Sequence, residues 1–328
     1  MKVSILYNDV SSATNTDDLD VLTQVDFVSK ALLNIGHEVV PVALSLNLEQ
    51  AIVTLKKLRP AVVFNLVESI AGVEKFMHFA PTLLDHLKLQ YTGGNAHALY
   101  ITTNKLYAKE ILCSADLPTP CWFSMRDTTN NNVSFDPPYI IKPVCEDASV
   151  GVDEQSIVYN RKAINDVLRD RSTRFGECFA EAYIPGREFN LSVLANSTGP
   201  EVLPPAEIRF VDFPKDKPQI VGYTAKWDEE SFEYQHTVRS FDYPPEDRYL
   251  LTKLSDIALR CWQTFELRGY ARVDFRVDDC GNIWILEINV NPCISPDSGF
   301  VAATQQAGLS FEQVVTRILH DSLKSQII

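Results

Sequence analysis

The strongest local chemistry in this 328-residue chain lies in ARVDFRVDDCGNIWILEINVNP, residues 271–292, where two strand-like runs flank the turn DDCGN. Side chains alternate faces along a strand, so Arg272, Asp274 and Arg276 share one face while Val273, Phe275 and Val277 take the other. Glu287 and Asn289 likewise lie two apart on one face of the second run, with Leu286 and Ile288 opposite. Two carboxylates and an amide oxygen can therefore converge. Hard oxygen ligands of this kind suit Mg2+, with Mn2+ a possible substitute, and Mg2+ normally completes its octahedron with water and substrate phosphates. The competing reading is a strand surface on which Arg272 and Arg276 simply pair with the acids, and the hairpin alone leaves both open.

Several lysines could face an anionic ligand. YIIKPV puts Lys142 at the end of an apolar strand, where a solvated lysine is less expected, and CEDASVGV follows as a loop of small residues containing Ser149 and Gly151. Such a loop can bring backbone N–H groups close to phosphate oxygens. It does not match G-x-x-x-x-G-K-[ST], which argues against a P-loop fold. Lys105, near the start of an expected helix, and Lys226 in YTAKWDEE are further cations, each equally readable as a surface lysine. In FAEAYIPGREF an apolar strand carries Glu181, breaks at Pro185-Gly186 and resumes with Glu188. That hinge could offer backbone groups to an adenine edge and a carboxylate to ribose hydroxyls, or it could be a plain strand-turn-strand with two acids.

Residues 1 to about 97 alternate strand-like and helix-like segments, which favours an open parallel sheet with covering helices. Ligands of such sheets bind beyond the carboxyl ends of the strands. Asn8, Asp9, Asp17, Asp18, Asp20, Asn65 and Glu68 are thus candidates to face a cleft, or else solvated loop residues and helix caps. A glycine turn at YTGG precedes an expected helix over 101–115 and a proline-marked entry into the next unit. The expected division is an N-terminal unit at 1–98, a small central α+β unit at 99–184 and a C-terminal α+β unit at 185–328. Strands are expected around WFSM, YIIKPV and CFAEAYI, and helices across RKAINDVLRD, RYLLTKLSDIALRCWQTFEL and FEQVVTRILHDSLK.

The formal net charge of −13 works against a nucleic-acid surface, which needs clustered Lys and Arg to displace counterions. An anionic substrate must then be held by a few local cations in a cleft. No apolar run approaches the ~20 residues of a membrane span, and MKVSILYNDV leads straight into a strand pattern, so the expectation is a cytoplasmic protein without a membrane partner. Seven scattered cysteines with no C-x-x-C pair suggest reduced thiols, with neither a disulfide framework nor a zinc site.

Taken in order, YTGG, NK, YIIKP with its ASVG loop, FAEAYIPGREF, YTAKW, RVDF, ILEINVNP and AATQQAGLSFEQVV resemble the D-alanine-D-alanine ligase group of ATP-grasp enzymes along nearly the whole chain. The resemblance implies an ATP-grasp fold of three units, ATP between the central and C-terminal ones, and amide formation by an acid-amino acid ligase through an acylphosphate. It matches Lys105, Lys142 and the ASVG loop with Ser149 to the nucleotide phosphates, and Lys226 to a mobile loop over the site. Glu181, Ala182 and Ile184 match the adenine hinge, Glu188 the ribose carboxylate, and Asp274, Glu287 and Asn289 the magnesium ligands. Arg272 matches the oxyanion-stabilising arginine, and Ser298 the serine that holds the second substrate's carboxylate. A homodimer is the corresponding assembly.

Departures from the pattern bear on substrate. The dipeptide ligases surround their first D-alanine with a glutamate, a serine and a tyrosine; here the matching positions are Leu19, Ala148 and Trp227, with Asp18 or Asp20 able to substitute for the first. FNLVESIAGVEK replaces a histidine- and glycine-rich segment, and Glu68 within it could bind a substrate amine. Cys293 stands where the family has a glycine whose N–H faces the oxyanion. Cys293 and Cys145 are expected near the site as small packing residues, not nucleophiles. The leading expectation is a ligase joining an amino acid to another carboxylate; a genuine D-alanine-D-alanine ligase and a catalytically silent ATP-binding regulator are the alternatives.

Overall fold

The computed structural model describes residues 1–11, 16–125, 133–146 and 149–324, with side chains of α1 described from Leu19 onward. Asp17, Asp18 and Ala148, singled out above, therefore lie outside the described side chains.

A parallel three-stranded sheet opens the chain. Strands β1 (Lys2–Asn8), β2 (Glu38–Leu44) and β3 (Val62–Asn65) run in the order β2-β1-β3. Both faces are covered, as an all-parallel sheet requires. Val3 and Ile5 face α1 (Thr16–Asn34), while Leu6 faces the side of α2 (Leu48–Leu58) and α3 (Phe79–His86). The first of these cores is shared with the far end of the chain. Val28 and Leu32 of α1 join Val314, Val315 and Ile318 of α11 (Phe311–Lys324), and Phe27 stacks on Phe311 with ring centroids 3.8 Å apart.

The helix expected over 101–115 is two helices, α4 (Ala96–Thr103) and α5 (Lys105–Ser114). Asn104 breaks it: its backbone is extended, and its side-chain oxygen accepts from the N–H groups of Leu106 and Tyr107. This cap satisfies donors that a continuous helix would have used internally. α4 and α5 contribute Ala98, Leu99, Ile101 and Leu112 to the core beneath the large sheet, together with Leu254, Ala258 and Trp262 of α9 (Arg248–Thr264).

Two antiparallel sheets follow. The smaller has the order β4-β7-β5-β6, from β4 (Trp122–Ser124), β5 (Tyr139–Pro143), β6 (Ile157–Val158) and β7 (Cys178–Ala182). Helix α6 (Ile164–Phe175) covers one face through Ile164 and Leu168. The larger follows β11-β10-β8-β12-β13, with β9 (Gly199–Val202) also paired to β8 (Arg187–Asn196). Its other strands are β10 (Ala206–Phe210), β11 (Thr237–Ser240), β12 (Tyr270–Val277) and β13 (Ile283–Val290). These elements give the mixed α/β and α+β fold class that the sequence implied.

Candidate active site

Registration of β8, β12 and β13 sets the site. Arg272 stands between Ser192 and Asn289, Asp274 between Asn190 and Glu287, and Arg276 beside Glu188. The alternate residues Val273, Phe275 and Val277 enter the core. One departure from simple alternation occurs where Asp274 pairs with Glu287 but Phe275 pairs with Ile285. Leu286 is the extra residue of this bulge, and it lines the cleft instead of facing away as alternation predicts.

The face so made opens onto a cleft of about 920 Å3. Most candidate side chains with a described position line it: Asp20, Glu68, Lys105, Lys142, Ser149, Glu181, Ala182, Ile184, Glu188, Lys226, Trp227, Arg272, Asp274, Glu287, Asn289, Cys293 and Ser298. Asn8 joins them, whereas Asn65 does not: it is fully buried, with its N–H on Thr92 and its side-chain oxygen on the N–H of Val67. Asp9 is a turn residue accepting from the Ser11 N–H, and Cys145 packs with Leu106, Val144 and Phe179 outside the cleft lining.

At the hairpin, Arg272 grips Asp274 through two hydrogen bonds of 2.7 Å, and its Nη2 lies 4.0 Å from Glu287. The arginine–acid pairing of the simpler reading is thus present within the same constellation. Asn289 directs its amide nitrogen at Asp274 (3.3 Å) and Glu287 (3.2 Å); a half-turn of that amide would present its oxygen to the same point. Burial pushes Asp274 up to about 6 despite Arg272 beside it. Burial also acts to raise Glu287, but the charges of Lys105, Lys226, Arg272 and Lys142 outweigh it and bring the group down to about 2. No group of three or more His, Cys, Asp or Glu gathers as a metal cluster among the described residues. The set here is two carboxylates and one amide, hard oxygen donors that fit Mg2+ sharing its shell with phosphate and water.

Lys142 projects from β5 and meets Glu181 of β7 at 2.6 Å. Lys109, four residues after Lys105 on α5, binds the other Glu181 oxygen. Sequence reasoning missed Lys109; its i, i+4 spacing from Lys105 was the available signal. Lys105 donates to the Glu146 carbonyl at 2.5 Å. Two loops close together above these cations: Ser149 Oγ donates to the Val221 carbonyl at 2.7 Å, and the Tyr223 N–H to the Val152 carbonyl at 3.2 Å. The second loop carries α7 (Tyr223–Trp227), which holds Lys226. At the hinge, Glu188 pairs with Arg276 at 2.7 Å, and Arg276 also donates to the Gly186 and Gln219 carbonyls.

The opposite end of the cleft is lined from both chain ends. Asp20 accepts from Ser295 Oγ at 2.8 Å and from the Cys293 thiol at 3.1 Å, while Gln24 bridges Asp20 and Glu68. Leu19 is 41% exposed and outside the lining, so of the acids beside it Asp20 is the one described at the cleft. Burial, then the charges of Glu68 and Asp20, push the Cys293 thiol well up, away from the thiolate a nucleophile needs. Ser295 and Gln24 were invisible in sequence because neither lies in a motif. Ser298 caps α10 (Gly299–Gln306), accepting from the Val301 N–H, and Arg239 of β11 leans over that helix start, 3.4 Å from the Asp297 carbonyl.

Comparison with known proteins places this geometry. The family model described as D-ala D-ala ligase C-terminus matches residues 114–320, well over half of the chain. The chain belongs to the D-alanine-D-alanine ligase family. Among members of that family, the D-alanine--D-alanine ligase of Gluconobacter oxydans is 29% identical over 331 residues, covering 98% of this chain and 99% of its own. That of Acinetobacter baumannii is 30% identical over 247 residues, or 74% of each chain. The Bacillus anthracis D-alanine--D-alanine ligase complexed with ATP superposes with a TM-score of 0.76 at 20% identity, covering 99% and 98% of the two chains. The Coxiella burnetii ligase gives 0.71 at 16% identity, covering 99% and 94%. The fold is accordingly ATP-grasp, and the protein is a D-alanine-D-alanine ligase-like enzyme of that class. No helix among the described residues is long and apolar enough to cross a membrane.

Proposed function

We propose that this enzyme forms an amide or peptide bond from ATP, a small carboxylate and an amine, through an acylphosphate, and that at least one substrate is an amino acid other than D-alanine. The observation that carries the reading is the convergence of Lys105, Lys142, Lys226 and Arg272 on the same cleft as Asp274, Glu287 and Asn289. In this proposal the lysines and the Ser149 loop hold the nucleotide phosphates, and the backbone of Glu181, Ala182 and Ile184 faces adenine. Glu188 takes the ribose, and Asp274, Glu287 and Asn289 hold Mg2+. The metal, when bound, supplies charge neutralisation to the transferring phosphoryl group. Arg272, anchored by Asp274, directs its guanidinium at the oxyanion formed when the amine attacks.

Substrate positions follow from charge. Asp20 and Glu68 form an anionic corner suited to a substrate ammonium, while Arg239 and the start of α10 at Ser298 form a cationic one suited to a carboxylate. Trp227 lines the cleft between the loops and is larger than the tyrosine of the dipeptide ligases. The same proposal includes the three units divided near residues 98 and 184, a cytoplasmic setting and a homodimer, the last read by light scattering.

The deciding experiment incubates the protein with Mg-ATP and a panel of L- and D-amino acids and other small carboxylates, following ADP and phosphate release. Release should require one acid and amine pair and fall by ~100-fold to ~1000-fold in Arg272→Ala. Turnover with D-alanine alone would refute the substrate reading. Mg-ATP binding with no turnover across the panel would refute the catalytic one.

A further inference from the structure

Lys109 lies behind the cleft wall, with its side chain 2% exposed against a Glu181 side chain only 1% exposed. The second Glu181 oxygen accepts from Lys142, which reaches the cleft. Lys109 Nζ also donates to Thr119 Oγ1 at 2.8 Å and to the Pro120 carbonyl at 3.2 Å. Thr119 directs its own hydrogen to the Ile285 carbonyl at 3.0 Å, leaving its oxygen to accept. Three acceptors around one amine match the three N–H bonds of an ammonium; a neutral amine has two. Lys109 is therefore charged, although burial pulls its pKa down against the opposing pull of Glu181. Burial would raise the Glu181 pKa, but the two lysines overcome it and keep the carboxylate ionised.

The charge count then matters. Lys142 and Glu181 alone would make a neutral pair, and the lysine would bring no net charge to a phosphate. With Lys109 the triad carries one positive charge. We infer that Lys109 is a positioning residue for nucleotide binding: Glu181 fixes the Lys142 ammonium at the cleft wall, and Lys109 cancels the negative charge which that anchoring introduces. This rests on the reading that the cleft takes ATP. A lysine that only filled the core would affect stability without singling out the phosphates.

The test measures binding of Mg-ATP and of adenosine by calorimetry to the full-length protein, Lys109→Met, and Lys109→Met/Glu181→Gln, with circular dichroism to verify folding. Removing one charge at this depth should weaken Mg-ATP by about tenfold or more, leaving adenosine within about twofold. Removing Glu181's charge as well returns the triad to its original net value, so the double variant should regain Mg-ATP affinity to within about fivefold of wild type. A folded Lys109→Met that binds Mg-ATP as wild type does, or that loses adenosine equally, overturns the inference. So does a double variant no better than the single. If Lys109→Met does not fold, the double variant decides alone, and affinity more than about fivefold below wild type overturns the idea. Wild-type protein that ignores Mg-ATP overturns the nucleotide reading and this inference together, whereas wild-type binding insensitive to Lys109 overturns only the inference.

Discussion

Gly186 sits at the hinge between β7 and β8 with φ near +123°, and a Cβ built there would lie 2.2 Å from the Val277 carbonyl oxygen. Gly186→Ala should therefore strike both stability and nucleotide binding. The obstruction is backbone on a buried strand and cannot rotate away; reaching an ordinary 3.4 Å contact requires the hinge to retreat by about 1.2 Å. Backbone strain for a side chain in such a region costs ~1–3 kcal/mol. The retreat also loosens the 3.1 Å bond from Arg276 to the Gly186 carbonyl, and a hydrogen bond from a charged donor contributes ~1.5–3 kcal/mol. A loss of about 2.5–6 kcal/mol should lower the melting temperature by roughly 4–9 °C at this chain length, since the entropy of unfolding grows with the number of residues. Since Arg276 also holds Glu188, Mg-ATP affinity should fall by about tenfold or more. Differential scanning fluorimetry and calorimetry read the two effects. Gly281 is the control: it has φ +80° but no atom within 4 Å of a built Cβ, so Gly281→Ala should show only ~1–2 kcal/mol of conformational strain. A Gly186→Ala protein that melts and binds like wild type, or like Gly281→Ala, would refute the reasoning.

Two further outcomes follow from the charges around the large sheet. Arg187 donates to Glu207 at 2.7 Å and forks onto Asp247 at 2.8 and 2.7 Å, and these bonds hold the Asp247 carboxyl below its usual range. Arg187→Met should cost ~1–3 kcal/mol at neutral pH. Because the folded pKa is depressed, the contribution is present above the ordinary Asp value near ~4 and is lost as pH falls through the folded one, so wild-type and variant denaturation midpoints should converge in acid and not in alkali. Arg239→Leu should raise KM for the carboxylate-bearing acceptor by about tenfold or more while leaving KM for ATP unchanged; an equal rise in both would remove Arg239 from the acceptor corner.

Much of the fold could be read from the sequence because it rests on short-range rules. The period-two pattern of RVDF and ILEIN places Arg272, Asp274, Glu287 and Asn289 on one face, and the structure keeps that arrangement. The final helix spans the same FEQVVTRILHDSLK that its spacing marks. What escaped depends on partners distant in sequence or on local competition with the backbone. Leu286 reaches the cleft because a bulge in pairing shifts its side, which periodicity within one strand does not encode. Asn104 ends a helix by capping the next one, although the residues around it would propagate. Ser295 and Lys109 acquire their places only when Asp20 and Glu181 arrive from elsewhere. The acids near the N-terminus were too numerous to rank: Asp20 points to the cleft because the helix face bearing Val21 and Val28 is committed to the core.

The core shared by the two chain ends also bears on how such an enzyme can diversify. Phe27 on Phe311 and the bond from Ser295 to Asp20 join the first helix to the last segments of the chain. The first helix is consequently not a piece that can be exchanged without disturbing the last segments of the chain. A segment grafted from a relative would have to match both the aromatic stack and the acid–hydroxyl pair at once, so a change at Phe27 or Asp20 calls for a matching change at Phe311 or Ser295.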